Sequence, residues 1–339
     1  MPRAAPLKYL FPGWYAIVMG LAGLALAWQR AEPLMGDTAL GVALVLGALA
    51  ALVFALLAAA SVLRARWHAD AWREDRLHPV RHAFVATLPV ALLLLATVAV
   101  ALLGPSVWAA ASWWAGSLAQ LTVTVWVLGR WWRGNQGADV KAGTPPGLVW
   151  AGVTPALLIP IVGNVLAPLA GVPLGHAGWA AAQFGIGLLF WPVVLVLLLV
   201  RIALHGMIPE RLLPTLAILI APPAVAALAL LQLGAAQPVA WALWGMALFA
   251  LLWVGTLARR LRALPFTLTH WALSFPLAAL AALTLHLAAP GGAMALLGIV
   301  LLAFASLVIA ALALATWRGL RDGTLLAPEP AAPVVAATA

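Results

Sequence analysis

The stretch TLTHWALSFPLAAL, residues 267–280, is apolar enough for the middle of a membrane-spanning helix, yet it sets Phe275 and Pro276 side by side at its centre. An interior proline removes an N–H donor and clashes with the carbonyl four residues back, at a cost of about 3 kcal/mol in a soluble helix. In lipid the freed groups must find partners in neighbouring helices or in a wet cavity. The segment therefore predicts a broken helix that faces protein, with its interruption near mid-membrane.

The rest of the chain agrees with a lipid setting. Of its 339 residues, 65% are hydrophobic and 8% charged, with a mean hydropathy of +1.08. Such a composition belongs to a polytopic membrane protein, whose outer solvent is lipid. The absence of cysteine excludes disulfides, thiolate metal sites and cysteine nucleophiles. The opening MPRAAPLKYLFPGWYAIVMG is basic and then apolar, without a small-residue cleavage site, and reads as a first spanning helix.

A span needs roughly 20 apolar residues. Ten stretches qualify, near 11–29, 38–63, 83–103, 107–129, 147–170, 176–200, 212–233, 238–258, 265–288 and 291–316. The expected organisation is a cytoplasmic N-terminus over 1–10, a ten-helix transmembrane channel domain over 11–316 and a disordered cytoplasmic tail over 317–339. Connections alternate between basic ones, such as RARWHADAWREDRLHPVRH, and ones without Lys or Arg, such as LGAAQPV. Seventeen of the 18 Lys and Arg fall on one side, with only Arg30 on the other. The positive-inside rule then puts both termini in the cytoplasm, as an even number of spans requires. The net charge of +9 is thus read as orientation and contact with anionic lipid, not as nucleic-acid binding. Tryptophans near span ends, among them Trp14, Trp28, Trp131, Trp132, Trp179 and Trp317, read as an interfacial belt.

Interior prolines concentrate in the odd spans: Pro89 in the third; Pro155, Pro160 and Pro168 in the fifth; Pro214, Pro222 and Pro223 in the seventh; Pro276 in the ninth. The first has Gly13, Gly20 and Gly23, and among the even spans only the sixth has a mid-span proline, Pro192. This pattern predicts five helical hairpins, with kinked odd helices around a central pore and even helices outside.

All nine acidic residues lie outside the spans, which leaves no carboxylate for a proton relay, a sodium site or a cation-selecting ring. A neutral lining with a basic cytoplasmic mouth tilts toward anions. Thr87, Thr154, Asn164, Gln183, Thr215, Thr267 and Ser274 are the polar span residues, each a candidate for the pore lining or for helix–helix contact. His270 alone among the histidines lies well inside a span, as a pH sensor or as a structural hydrogen-bonding group. No metal-ligand spacing, facing histidine pair or nucleophile–base arrangement is present, so no metal, cofactor or catalytic residue is expected.

Several segments resemble the tellurite-resistance/dicarboxylate transporter (TehA-like) family, which includes the slow-type anion channels of plant guard cells. They are FPGWYAIVMGLAGLALAW (11–28), DRLHPVRHAFVATLPVALLL (75–94), IPIVGNVLAPLAG (159–171), LIAPPAVAALAL (219–230) and PFTLTHWALSFPLAAL (265–280), in family order. The resemblance implies five quasi-repeated hairpins, a pore lined by odd helices, a homotrimer with one pore per protomer, and a pore-occluding phenylalanine on the ninth helix. By motif that role falls to Phe275, with Phe266 as the fallback. Pro89, Pro155, Pro160, Pro222, Pro223, Pro276, Ala16 and Gly20 are the accompanying pore-lining or kink residues, with Ala16 at the place where the family often has glycine near the gate. The implied function is an anion-selective channel or facilitative transporter of the bacterial inner membrane, for chloride, nitrate, sulfite or tellurite. The absence of a pore arginine disfavours tight binding of a C4-dicarboxylate. A multidrug exporter of lipophilic cations, the other alternative, would want a membrane carboxylate.

Overall fold

A computed structural model describes residues 6–133, 147–289 and 291–327. The described residues are helical with no strand. Among the described residues seven helices are long and apolar enough to cross a membrane: Asp37–Trp67, Arg81–Leu103, Ala177–His205, Glu210–Gln232, Gln237–Gly255, Leu268–Leu287 and Ala293–Arg321. The other three expected places hold helices that fall short by length or hydropathy, over Pro12–Arg30, Val107–Leu128 and Pro155–Gly171. We label the α-helical parts α1 (Ala16–Arg30), α2 (Asp37–Trp67), α3 (Thr87–Leu103), α4 (Val107–Leu128) and α5 (Leu158–Val165, continued by Ala167–Gly171). The second half is α6 (Ala177–His205), α7 (Ala221–Gln232), α8 (Gln237–Gly255), α9 (Ser274–Leu287) and α10 (Ala293–Arg321). The last helix runs past the expected boundary at 316, and the expected tail beyond residue 327 and the whole of the 134–146 loop lie outside the described residues.

The odd helices close a ring. α1 packs on α3, α3 on α5, α5 on α7, α7 on α9, and α9 returns to α1. Each even helix leans on the odd helices beside it: α2 on α1 and α3, α4 on α3 and α5, α6 on α5, α8 on α7 and α9, α10 on α9 and α1. Burial follows the same division. In the most apolar 18-residue stretch of each element, 89% is buried in Glu210–Gln232 and 83% in Leu268–Leu287, against 17% in Asp37–Trp67 and 22% in Gln237–Gly255. A helix that is apolar all round and exposed in the protein is one whose solvent is lipid.

The odd helices share a construction that differs from a kinked α-helix. Each begins as a 3₁₀ segment and changes to α: Pro12–Tyr15 into α1, Arg81–Ala86 into α3, Pro155–Leu157 into α5, Glu210–Ile220 into α7 and Leu268–Leu273 into α9. The α parts open AIV, TLP, LIP, APP and SFP, so Pro89, Pro160, Pro223 and Pro276 all occupy the third α position and Val18 takes that place in α1. A proline in the first turn of an α segment is tolerated far better than one in its interior. The prolines therefore mark where 3₁₀ winding ends, and the expected interior break of an α-helix is replaced by a change of helix type. Hydroxyls bond carbonyls at two junctions, where Ser274 Oγ donates to the Trp271 carbonyl at 2.6 Å and Thr87 Oγ1 lies 2.7 Å from that of Phe84, and Thr215 Oγ1 donates to the Leu212 carbonyl at 2.5 Å within the 3₁₀ segment Glu210–Ile220. The same Thr87 hydroxyl is 2.6 Å from the Pro12 carbonyl, so two 3₁₀ segments meet at one proton.

The tryptophans do more than form a belt. Trp132 and Trp317 are exposed, but Trp14, Trp113 and Trp271 are buried. Their indole N–H groups tie helices together: Trp28 to Ser306, Trp113 to the Ala167 carbonyl, Trp244 to Thr284 and Trp271 to Thr316, at 2.8–3.1 Å. Trp14, expected at the interface, lies inside because the 3₁₀ turn before α1 tucks into the bundle.

Candidate functional site: the central cavity

A cavity of about 50 Å³ lies inside the ring, and every odd helix contributes to its wall. Ala16 and Met19 come from α1, Thr87 and Val90 from α3, Ile159, Val162, Gly163 and Leu166 from α5, Ile218 and Ala221 from the seventh helix, and Trp271, Ala272, Phe275 and Pro276 from the ninth. Phe11, Gly13, Phe84, Leu268 and Thr269 line it nearer the start of the 3₁₀ segments. The wall is apolar except for the hydroxyls of Thr87 and Thr269, and it contains no titratable side chain.

Phe275 lines this space. It is 8% exposed, and a Cβ placed on Gly23 of α1 would come within 2.8 Å of its ring. The α1 residues of the wall stop at Met19, one turn before Gly23. The ring thus belongs to the cavity wall and is seated where α1 lacks a side chain. One turn earlier a Cβ on Gly20 would collide with Ser274 and press on Trp271. Gly20 and Gly23 together let α1 and α9 approach closely, as small residues do between membrane helices.

Phe275, Pro276 and Ala16 line the cavity; Pro155, Pro160, Pro222 and Pro223 do not, although they belong to the same helices. Pro89 lines a different cavity behind the ring, and Gly20 acts through its contact with α9. Phe266 packs beside His270 with its ring tilted by 38° and the centroids 5.5 Å apart, and it does not line the cavity. The sequence marks Gly23 as one of the glycines of the first span, but nothing local shows that a ring from another helix rests on it.

Of the polar span residues only Thr87 lines the cavity. Asn164 and Gln183 belong to a relay between α4, α5 and α6. Trp179 donates to Ser117 at 2.7 Å, Ser117 to Gln183 at 2.6 Å, Gln183 to Asn164 at 3.1 Å and Asn164 to Thr124 at 2.8 Å. Gln120 and Thr124 both donate to the Pro160 carbonyl at 2.6 Å. His270 closes a capping box, its Nδ1 accepting from the Thr267 backbone N–H at 3.2 Å, so its geometry gives it a structural task.

At the end of α2 the basic connection is held by a buried carboxylate. Asp75 is fully buried and meets Arg64 at 2.7 Å and Arg81 at 3.0 Å. Burial pushes its carboxyl above the usual range, against the opposing pull of Arg64 and Arg81. Arg130 stacks over Trp126 and bonds the Arg76 carbonyl, and burial, then Arg133, lowers its pKa to about 10.

A closed ring of helices around a narrow acid-free cavity, wrapped by lipid-facing helices, defines a membrane transport protein. The chain belongs to the voltage-dependent anion channel (SLAC1) family, whose model matches residues 9–317. It is also 24% identical over 305 residues to an uncharacterized transporter of Methanocaldococcus jannaschii, a match covering 80% of this chain and 82% of that protein. The family supports a multi-pass membrane protein with a general role in anion transport.

Proposed function

We propose that the protein conducts small anions, such as chloride, nitrate, sulfite or tellurite, through the central cavity, and that the ring of Phe275 is the plug. The observation that carries this reading is the seat of Phe275 against Gly23, in the wall of a cavity built by all five odd helices. With the ring in place an ion must shed its water to pass an apolar constriction, which is a steric and dewetting barrier. Rotation of the ring away from Gly23, or a shift of α9 against α1, opens the path.

Anions are favoured on two counts. The cavity wall carries no carboxylate that would repel them or attract cations. Successive helices form hairpins, so the five odd helices point the same way. Their N-terminal ends, each equivalent to roughly +0.5 charge, gather at one mouth. That mouth is the side of the basic connections, which under the positive-inside rule is the cytoplasm. We place the chain in a bacterial inner membrane, with both termini cytoplasmic and three protomers each carrying one pore.

Flux from purified protein in liposomes tests this reading. Chloride efflux should depend on the protein and be carried equally well with impermeant cations. Efflux that requires a co-transported proton or sodium gradient would replace the channel with a coupled carrier. Export of ethidium from expressing cells would favour the cation exporter instead.

A further inference from the structure

A second cavity, of about 160 Å³, lies behind the wall of the first. Along two segments the residues divide between them. Gly13 and Ala16 face the central cavity while Pro12 and Tyr15 face the second; Phe84 and Thr87 face the central one while Val85 and Leu88 face the second. The Thr87–Pro12 hydrogen bond lies in this shared wall. The outer side is made by Ser61 and Arg64 of α2, Trp72 of the short helix Ala69–Leu77, and Ala119 and Val123 of α4.

Three features point to an occupant. First, Arg64 lines this space, is 3% exposed, and its Nη1 has no hydrogen-bond partner. Its Nε and Nη2 donate to the Lys8 carbonyl at 3.1 and 3.0 Å, and Nη2 also meets Asp75. A buried donor without an acceptor is costly, so an oxygen atom in the cavity is strongly favoured. The hydroxyls of Tyr15 and Ser61, 3.2 Å apart, lie on the same cavity. Second, Arg64 is already paired: the ion pairs about it join Lys8, Arg64 and Arg81 to Asp70, Glu74 and Asp75. The site therefore asks for an acceptor oxygen and does not ask for a dense free anion. Third, the remaining wall is apolar and opens on the lipid-facing surface. Ala119 and Val123 are half-exposed, with Leu118, Val125 and Val62 exposed nearby. Arg66 and Trp67, at the end of α2, put this opening at headgroup depth.

We propose that this cavity holds one phospholipid of the leaflet that meets the C-terminal end of α2. An ester or phosphate oxygen of the lipid accepts from Arg64 Nη1, and the upper part of one acyl chain fills the apolar space. The volume suits a short hydrocarbon segment, since an apolar cavity of about 150 Å³ takes benzene. The rest of the chain leaves between α2 and α4 into the bilayer. A lipid seated there packs against the same two 3₁₀ turns that wall the pore.

Native mass spectrometry of detergent-purified protein, taken through stepwise delipidation, tests the site. Wild type should retain one lipid per chain after the others are stripped. Ala119→Trp, which fills the cavity, should lose that lipid, while Leu118→Trp, on the exposed face beside it, should keep it. Val123→Trp is the second filling variant should Ala119→Trp fail to fold. Equal retention in the filled variants would overturn the proposal. Displacement of the retained lipid by millimolar inorganic phosphate would overturn it in favour of a free-anion site.

Discussion

Gly23 and Phe275 fit against each other: the ring occupies the space that a β-carbon at position 23 of α1 would need. Gly23→Ala puts a methyl 2.8 Å from the ring and must displace it. The expected result is a change in basal anion flux together with a stability loss of about 1–3 kcal/mol from overpacking, measured by flux and thermal unfolding of the same preparation. Unchanged flux and stability would show that the ring is not seated there. Asp75 makes a pH-dependent prediction. Its folded pKa is raised, so its contribution to stability is fully present below the ordinary carboxylate pKa and declines as pH rises through the raised value. Asp75→Asn should flatten that part of the curve of unfolding temperature against pH; an unaltered slope would assign it to another group. Phe275 was legible as a candidate because it stands before a proline in a family motif, and it lines the central cavity. The roles of Gly23 and Asp75 were not legible, since they come from partners 252 residues away in one case and from burial by separate helices in the other.

At the scale of elements, the proline pattern identified the odd helices but not their construction. Sequence periodicity does not separate 3₁₀ from α winding, and a proline in an apolar run reads as an interior break whichever helix type precedes it. Only with the boundaries known do Pro89, Pro160, Pro223 and Pro276 fall at one register. The polar span residues behaved similarly. Their types were visible, but whether Gln183 faces a pore or another helix depends on rotations that apolar helices do not encode: α6 offers no polar face to orient it. Gln183→Leu should break the relay from Ser117 to Asn164 and cost about 1–3 kcal/mol, because both are left buried without that partner. Thermal unfolding in detergent measures this, and anion selectivity should stay as in wild type, since Gln183 is not in the cavity wall. A changed selectivity would place the relay on the ion path.

For the whole molecule, the ring of odd helices and the lipid-facing even helices were legible from composition, charge alternation and proline placement together. Among the described residues seven helices reach the length and hydropathy of a span, and Pro155–Gly171 is one that falls short by length. The central claim is that this ring encloses an anion path closed by one ring. Its most direct test is the reversal potential of Phe275→Ala in planar bilayers under a KCl gradient, beside wild type. The account predicts that the variant conducts at least about tenfold more than wild type, equivalent to removing ~1.4 kcal/mol of barrier, and reverses near the chloride potential. Reversal near the potassium potential, or a folded variant no more conductive than wild type, would contradict it.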